Sequence, residues 1–327
     1  MGERGELPVR ASTALSAIIA RTVEIKDQTM TTVIAWYGAD SKKLPKRVST
    51  SSETQQLTPA SLYFASDSRI SWEEKKRPYP SWDFAKKVFA SRSTPDIFGF
   101  SGSVEAGVVL LSQVVSLADH NLLFSDADIP TRRFRKFSYA IQRTWKNYPS
   151  KKRAALKFLH GFRIGEGILS RFYVGVMQWS PESESWTQTL KECPVNKASS
   201  VLDGIGTGHK KALEWIEIRN RTSDANTSRA MFSGLCDSIR AGSDPDSGGA
   251  PQLVGLYRKF NATSFGIIWE GRRYFDGQPL QRIHVNDTLE WRNAIFERVD
   301  GESGQLLSGA QAHAVPSQRG QSRLECG

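Results

Sequence analysis

The run from Thr32 to Tyr37 (TVIAWY) is β-branched or aromatic at every position but one, which reads as a strand. A second strand, Ser61 to Ser66 (SLYFAS), follows a segment rich in Lys, Ser, Thr and Pro that reads as a long exposed hairpin loop. The first strand is set apart by what precedes it, Met30 and then Thr31. If Met30 is lost, Thr31 heads the mature chain and carries its own base. An α-amino group titrates near ~7.7 to 8.0 and takes a hydroxyl proton directly or through one water, so no histidine is required. Two ordinary strand threonines are the competing reading.

With 327 residues, 39% of them hydrophobic, the chain is long and apolar enough to bury a full core, and it reads as one large domain with ragged ends. No apolar run approaches the ~20 residues of a membrane span, and Ala14 to Ala20 is too short for a secretory signal, so a cytoplasmic protein with no membrane partner is expected. Cys193, Cys236 and Cys326 are odd in number and widely spaced. They suggest neither a disulfide framework nor a zinc site, and no metal or cofactor is read from the sequence. The net charge of +10 is gathered in short bursts, among them Arg132-Arg133 with Arg135-Lys136, and Lys151-Lys152-Arg153. None has a nucleic-acid motif around it, so solvated faces and no specific nucleic acid are expected.

Further along, Asp67-Ser68-Arg69 follows the second strand, and Phe84-Ala85-Lys86-Lys87-Val88-Phe89 comes after another charged loop. Asp96 to Gly102 (DIFGFSG) reads as a strand running into small residues. A helix is expected from about Val104 to Ala118, with Val108, Leu111, Val114, Val115 and Ala118 on its buried face. Arg171 to Trp179 and Trp186 to Leu190 suit a hairpin. Lys210 to Arg219 and Ser228 to Arg240 read as helices, and Gln252 to Arg258 with Ser264 to Trp269 as a closing hairpin. In the extension from about Gln278 to Val299, Leu289, Trp291 and Ile295 suggest a short helix. The Gly, Ser and Gln content after Gly301 looks disordered.

This order, a threonine-headed strand, then ASDSR, KKVF, and GFSGS opening a helix, resembles the proteasome β-subunit family of N-terminal-nucleophile hydrolases and its bacterial relatives. Ile205-Gly206-Thr207-Gly208 is similar to the family's Gly-Ser-Gly turn, and Asp244-Pro245-Asp246-Ser247-Gly248-Gly249 to its Asp-x-x-Ser-Gly-Gly element. The likeness covers about residues 31 to 275. It implies an α+β fold, a four-layer αββα sandwich of two antiparallel sheets. The corresponding division is 1–30 as a propeptide or a mis-annotated upstream extension, 31–277 as the hydrolase domain, 278–300 as an extension, and 301–327 as a tail.

The resemblance also implies roles. Thr31 would be the nucleophile. Lys87 would place a positive charge beside it, and Asp67 would hold that charge. Gly102 would supply an oxyanion N–H, and Asp244 and Ser247 would surround the amine. Thr207 would offer a hydroxyl where the family has serine. Met30 stands where family propeptides have glycine. Thr32 competes for the assignment, and a one-residue shift would leave Met30 in the nucleophile's place. Two functions follow. The first is a threonine-type peptidase in a homo-oligomeric ring, acting on peptides or unfolded chains, with any ATPase partner unknown. The second is an inactive proteasome-like scaffold that binds a partner.

Overall fold

Strand β1 (Val33–Lys42) organises the molecule, which is described by a computed structural model over residues 31–42, 56–71, 81–281 and 289–310. Residues 33–37 are fully buried. Successive side chains of a strand face opposite ways. Val33, Ala35 and Tyr37 accordingly enter one apolar cluster, and Ile34 and Trp36 another. Burial on both faces explains why this strand is apolar throughout instead of alternating.

Next to it runs β2 (Gln56–Ser66), antiparallel, with Val33 opposite Ser66. The short β3 (Ile70–Ser71) and β4 (Ser81–Trp82) pair with each other. Strands β5 (Val88–Ala90) and β6 (Asp96–Gly102) lead into helices α1 (Val104–Asp119) and α2 (Pro130–Trp145). Strands β7 (Leu156–Ile164), β8 (Arg171–Ser180) and β9 (Ser185–Glu192) then extend an antiparallel sheet in sequence order from β5 to β9. The chain returns to flank β1 with β10 (Ser200–Ile205) and passes through α3 (His209–Arg219) and α4 (Ser228–Arg240). Strands β11 (Gln252–Tyr257) and β12 (Thr263–Ser264) complete the first sheet, ordered β10-β1-β2-β11-β12. Finally β13 (Gly266–Trp269), β14 (Arg272–Phe275), β15 (Gln278–Leu280), β16 (Trp291–Asn293) and β17 (Arg298–Val299) form a third sheet.

Three apolar clusters join these parts. Val33, Phe64 and Leu256 of the first sheet meet Val88, Ile97, Leu159 and Val174 of the second. Phe98, Phe100 and Phe158 meet Leu111 of α1 and Phe137, Ile141 and Trp145 of α2. Ile34, Trp36 and Ala65 meet Ile216 of α3 and Phe232 and Leu235 of α4. The architecture is α+β, with several antiparallel sheets and four α-helices among the described residues, and it is consistent with a sandwich. Helix starts are set locally. The Ser103 hydroxyl accepts the Ala106 N–H at 3.4 Å to cap α1, and Thr227 accepts that of Ala230 at 3.2 Å to cap α4.

The structure departs from the sequence reading in several places. Helix α2 and strand β7 stand outside the elements expected above, although Phe134, Phe137, Ile141 and Trp145 recur at helical spacing beneath the basic residues. The short helix expected in the extension is replaced by β15, β16 and β17. Here β16 pairs in parallel with β13 and the Trp291 ring lies against Gly266, a contact that a helical turn would break. Residues 301–310, expected with the tail, close back on β17 through a bridge between Val299 and Leu306. Cys193 and Cys236 are free and buried. Residues 1–30, the loop at 43–55, the tail from 311 and Cys326 lie outside the described residues.

A charged cluster that the sequence did not announce lies between β6, β7 and α2. Asp96 accepts from Arg133 Nε at 2.9 Å, from Arg133 Nη2, and from His160 Nε2 at 2.8 Å, with all three residues buried. The His160 ring sits among Phe98, Phe124, Phe137 and Phe162, with centroids 4.7 to 5.3 Å away. Burial pushes the Asp96 carboxyl up, but bonds from His160 and Arg133 outweigh it and hold it down at about 2. His160 is pushed down by burial, against the pull of Asp96.

Both shifts have the same sign for stability. Between the folded and unfolded values the unfolded chain binds more protons, so each contribution is present at higher pH and lost on acidification. For Asp96 the loss, on the order of 2 kcal/mol, falls between about pH 4 and 2. Asp96→Asn leaves the Arg133 charge buried and unpaired, and it should cost about 3 to 5 kcal/mol in urea unfolding at neutral pH. A cost within the noise of a surface substitution would show that the cluster is already wet.

Candidate active site

The register of the first sheet brings the motif residues together. Val33 lies opposite both Ser66 and Ile205, and Gln252 lies opposite Ser66. The residues just before β1, just after β2 and β10, and just before β11 therefore meet at one end of the sheet. Lys87, directly before β5, comes to the same place from the second sheet.

The Lys87 Nζ donates to both oxygens of Asp67, at 2.9 and 3.0 Å, and both side chains are 0% exposed. Asp67 also accepts three backbone N–H groups: Thr32 at 2.9 Å, Arg69 at 3.0 Å and Gly248 at 3.0 Å. Such a pair is tolerated in an apolar interior only when its remaining hydrogen-bonding capacity is filled in this way. Burial pushes the Lys87 ammonium below its ordinary value, and the Asp67 charge works against that shift.

On the other side of β1 lies a hydroxyl relay. Thr32 Oγ1 is 2.7 Å from Ser247 Oγ, Ser247 donates to Asp244 Oδ2 at 2.7 Å, and Thr207 donates to the same oxygen at 3.1 Å. Ser247 thus meets the hydroxyl of Thr32. Thr31 is 0% exposed, and its carbonyl presses on Gly206 so closely that a Cβ there would stand 1.7 Å from the oxygen. Only glycine fits, and its φ of +93° also lies in the region that favours glycine.

Gly102 stands two residues beyond Phe100, whose N–H donates to the Lys87 carbonyl at 3.3 Å. It therefore shares that end of the second sheet, with Ala155 and Leu156 as its nearest neighbours. Its φ of +108° and a would-be Cβ 2.2 Å from the Ala155 carbonyl require glycine whatever the chemistry.

Two supports escaped the sequence reading. The Gln252 amide accepts the Lys87 N–H at 3.1 Å and donates to the carbonyls of Asp67 at 3.0 Å and Ala85 at 2.6 Å, gripping both partners of the ion pair through their backbones. Arg69 forms a fork with Asp83 at 2.7 and 2.9 Å and reaches the Pro245 carbonyl at 3.3 Å, fastening the segment after β2 to the Asp244 loop. Gln252 had no local signal, being one polar residue at the start of a strand. Arg69 lay within the ASDSR motif, but its carboxylate partner is 14 residues away.

Among the described residues no group of His, Cys, Asp and Glu is placed to hold a metal, and no helix is long and apolar enough to cross a membrane. No protein-family model matches the chain, and no curated protein matches it. Among solved structures, the Gly-1 mutant of Anbu from Hyphomicrobium sp. strain MC1 is similar, at 14% identity and a TM-score of 0.43, over 75% of this chain and 86% of that one. Anbu from the same organism in another crystal form gives 14% identity and a TM-score of 0.42, over 74% and 86%. The likeness is loose.

Asp67 keeps three N–H donors if the lysine is removed, whereas Lys87 loses the counter-charge it is bonded to if the carboxylate becomes an amide. Asp67→Asn should therefore destabilise the fold by about 3 to 5 kcal/mol, and Lys87→Met by clearly less. Urea titrations of the two variants check this, and equal costs would contradict the asymmetry.

Proposed function

We propose that this protein is an N-terminal-nucleophile amide hydrolase of the proteasome-like kind, cleaving peptide bonds with Thr31 once Met30 is removed. The observation that carries this reading is the fully buried Lys87–Asp67 pair at the head of β1. Strand alternation supports the choice of threonine. With the Thr32 hydroxyl directed to Ser247, Thr31 belongs on the face of Val33, the side on which Lys87 precedes Val88. The three apolar clusters fit a four-layer αββα sandwich, with the site at the end of the cleft between its sheets.

In this reading the Thr31 Oγ attacks the scissile carbonyl and its proton passes to the free amine. The charge of Lys87 favours the less protonated hydroxyl and amine. The tetrahedral oxyanion is met by the Gly102 N–H, a type of contact worth about 2.7 to 4 kcal/mol. The amine returns the proton to the leaving nitrogen, leaving an ester on Thr31 that water hydrolyses through the same groups. Asp244, Ser247 and Thr207 orient the head of the chain through Thr32. The reading takes the protein as cytoplasmic, assembled in a homo-oligomeric ring, and acting on peptides or unfolded chains.

While Met30 is attached, the Thr31 nitrogen is an amide without basicity, so the site is latent. That same state favours the second reading, a scaffold in which the motif residues only hold the sheets together. N-terminal sequencing of active material should give Thr31 first. Thr31→Ala should abolish peptide hydrolysis. Thr31→Ser should keep part of it, and Thr32→Ala should weaken it through the loss of the Ser247 contact. A β-lactone probe should label residue 31 in the parent and spare Thr31→Ala. Protein that begins at Thr31 yet ignores both the probe and a broad peptide panel would establish the scaffold instead.

A further inference from the structure

Residues 129–165 hold eleven Lys and Arg and no Asp or Glu, in a chain whose net charge is +10. Three of these cations are paired with acids at or beyond the stretch's ends: Arg133 with Asp96, Lys136 with Asp128 and Arg163 with Glu166. Arg132, Arg135, Arg143, Lys146, Lys151 and Arg153 form no ion pair among the described residues. Elsewhere the chain does supply partners, as in Arg219 with Asp237 and Lys191 with Asp203.

The unpaired cations have an order. Arg132, Arg135, Tyr139, Arg143 and Lys146 follow one another at steps of three or four, which aligns them along one exposed face of α2. Helix electrostatics accounts for Arg143 and Lys146 but not for the rest of this stripe. Cations suit the last turn of a helix, but Arg132 and Arg135 stand near its first turn, where the dipole disfavours them.

At the C-terminal end of the stripe an open cleft of about 670 Å³ is bounded by Arg143, Lys146 and Arg153 and by Trp145, Trp179 and Trp186. The three indoles lie 5.4 to 5.9 Å apart between centroids. Trp145 and Trp179 are buried and form the floor of the cleft, whereas the Trp186 ring is half-buried and Tyr139, also on its border, is exposed. Arg153 is held in place by the carbonyls of Tyr148 at 3.1 Å and Lys146 at 2.7 Å, with its guanidinium 5.9 Å from the Trp179 ring centre. The cleft thus offers the rings of Tyr139 and Trp186 beside a rim of uncompensated positive charge. Its size falls within the usual range for a small-molecule site.

We propose that this cleft binds a nucleotide unit, a planar ring carrying phosphate, and that the α2 stripe follows the further phosphates when the unit belongs to a single strand. Stacking on aromatic faces beside a cationic track is the physical basis of sequence-independent binding of single strands. The inference does not rest on the hydrolase reading, because none of these residues touches the Thr31 region.

The test uses the full chain, with a fluorescein-labelled oligouridine of about twelve nucleotides followed by anisotropy, and AMP followed by tryptophan emission. Binding should quench the tryptophans and weaken with salt, with a log–log slope of about −0.7 per phosphate engaged. The double variant Arg143→Glu, Lys146→Glu changes only exposed side chains. It should weaken the oligomer at least about tenfold and flatten the slope by about 1.4. AMP binding as tightly as the oligomer identifies a free nucleotide as the source, and a clear advantage of the oligomer identifies a strand. The proposal is overturned if neither ligand quenches the tryptophans, if the charge reversal leaves binding unchanged, or if polyglutamate displaces the oligomer as well as unlabelled oligouridine does.

Discussion

Two opposite charges sealed between two sheets set the terms for the rest of this structure. Removing a carboxylate and an ammonium from water costs several kcal/mol each, and their attraction offsets that cost only when geometry is close and the remaining valences are filled. Asp67 meets the condition by drawing N–H groups from three separate stretches of chain: the head of β1, its own turn, and the loop before β11. Gln252 then fixes the backbones on both sides. The pair is satisfied only when both sheets and the loop after α4 are in place. Folding and the assembly of the candidate site are therefore one event.

Parts of this arrangement can be read from the chain because they leave local marks. The strands β1, β2 and β6 and the helices α1, α3 and α4 show in residue type and spacing, and the motif residues Asp67, Lys87, Thr207, Asp244 and Ser247 stand in short recognisable strings. Helix α2 carries the same kind of mark in Phe134, Phe137, Ile141 and Trp145, but the density of Arg and Lys around them hides it. The strands after β13 are too short to establish a period, and their stability comes from distant partners such as the Trp291 ring on Gly266. Gln252 and the Asp96 cluster belong to the least legible class. A buried polar residue gains its meaning from partners tens or hundreds of positions away, and no window of sequence contains both.

The two buried charge clusters also differ in chemical character. Around Asp96 the partners are a guanidinium and an aromatic-walled imidazole, which fasten α2 to the second sheet far from any candidate reacting group. Around Asp67 the partner is an ammonium, a compact charge whose protonation responds readily to its surroundings. Burial lowers the proton affinity of Lys87 against the pull of the Asp67 charge.

The packing of β1 has a consequence for the threonine pair. Val33, Ala35 and Tyr37 fill one core, and Ile34 and Trp36 fill another of different shape. Sliding the strand by a single position would push indole into the space of a small side chain and exchange every contact between the two interiors. Trp36 and Tyr37 therefore act as a phase lock on the residues upstream. They settle which of the two threonines shares the face of Val33 and which that of Ile34, and evolution could change that choice only by rebuilding both cores together.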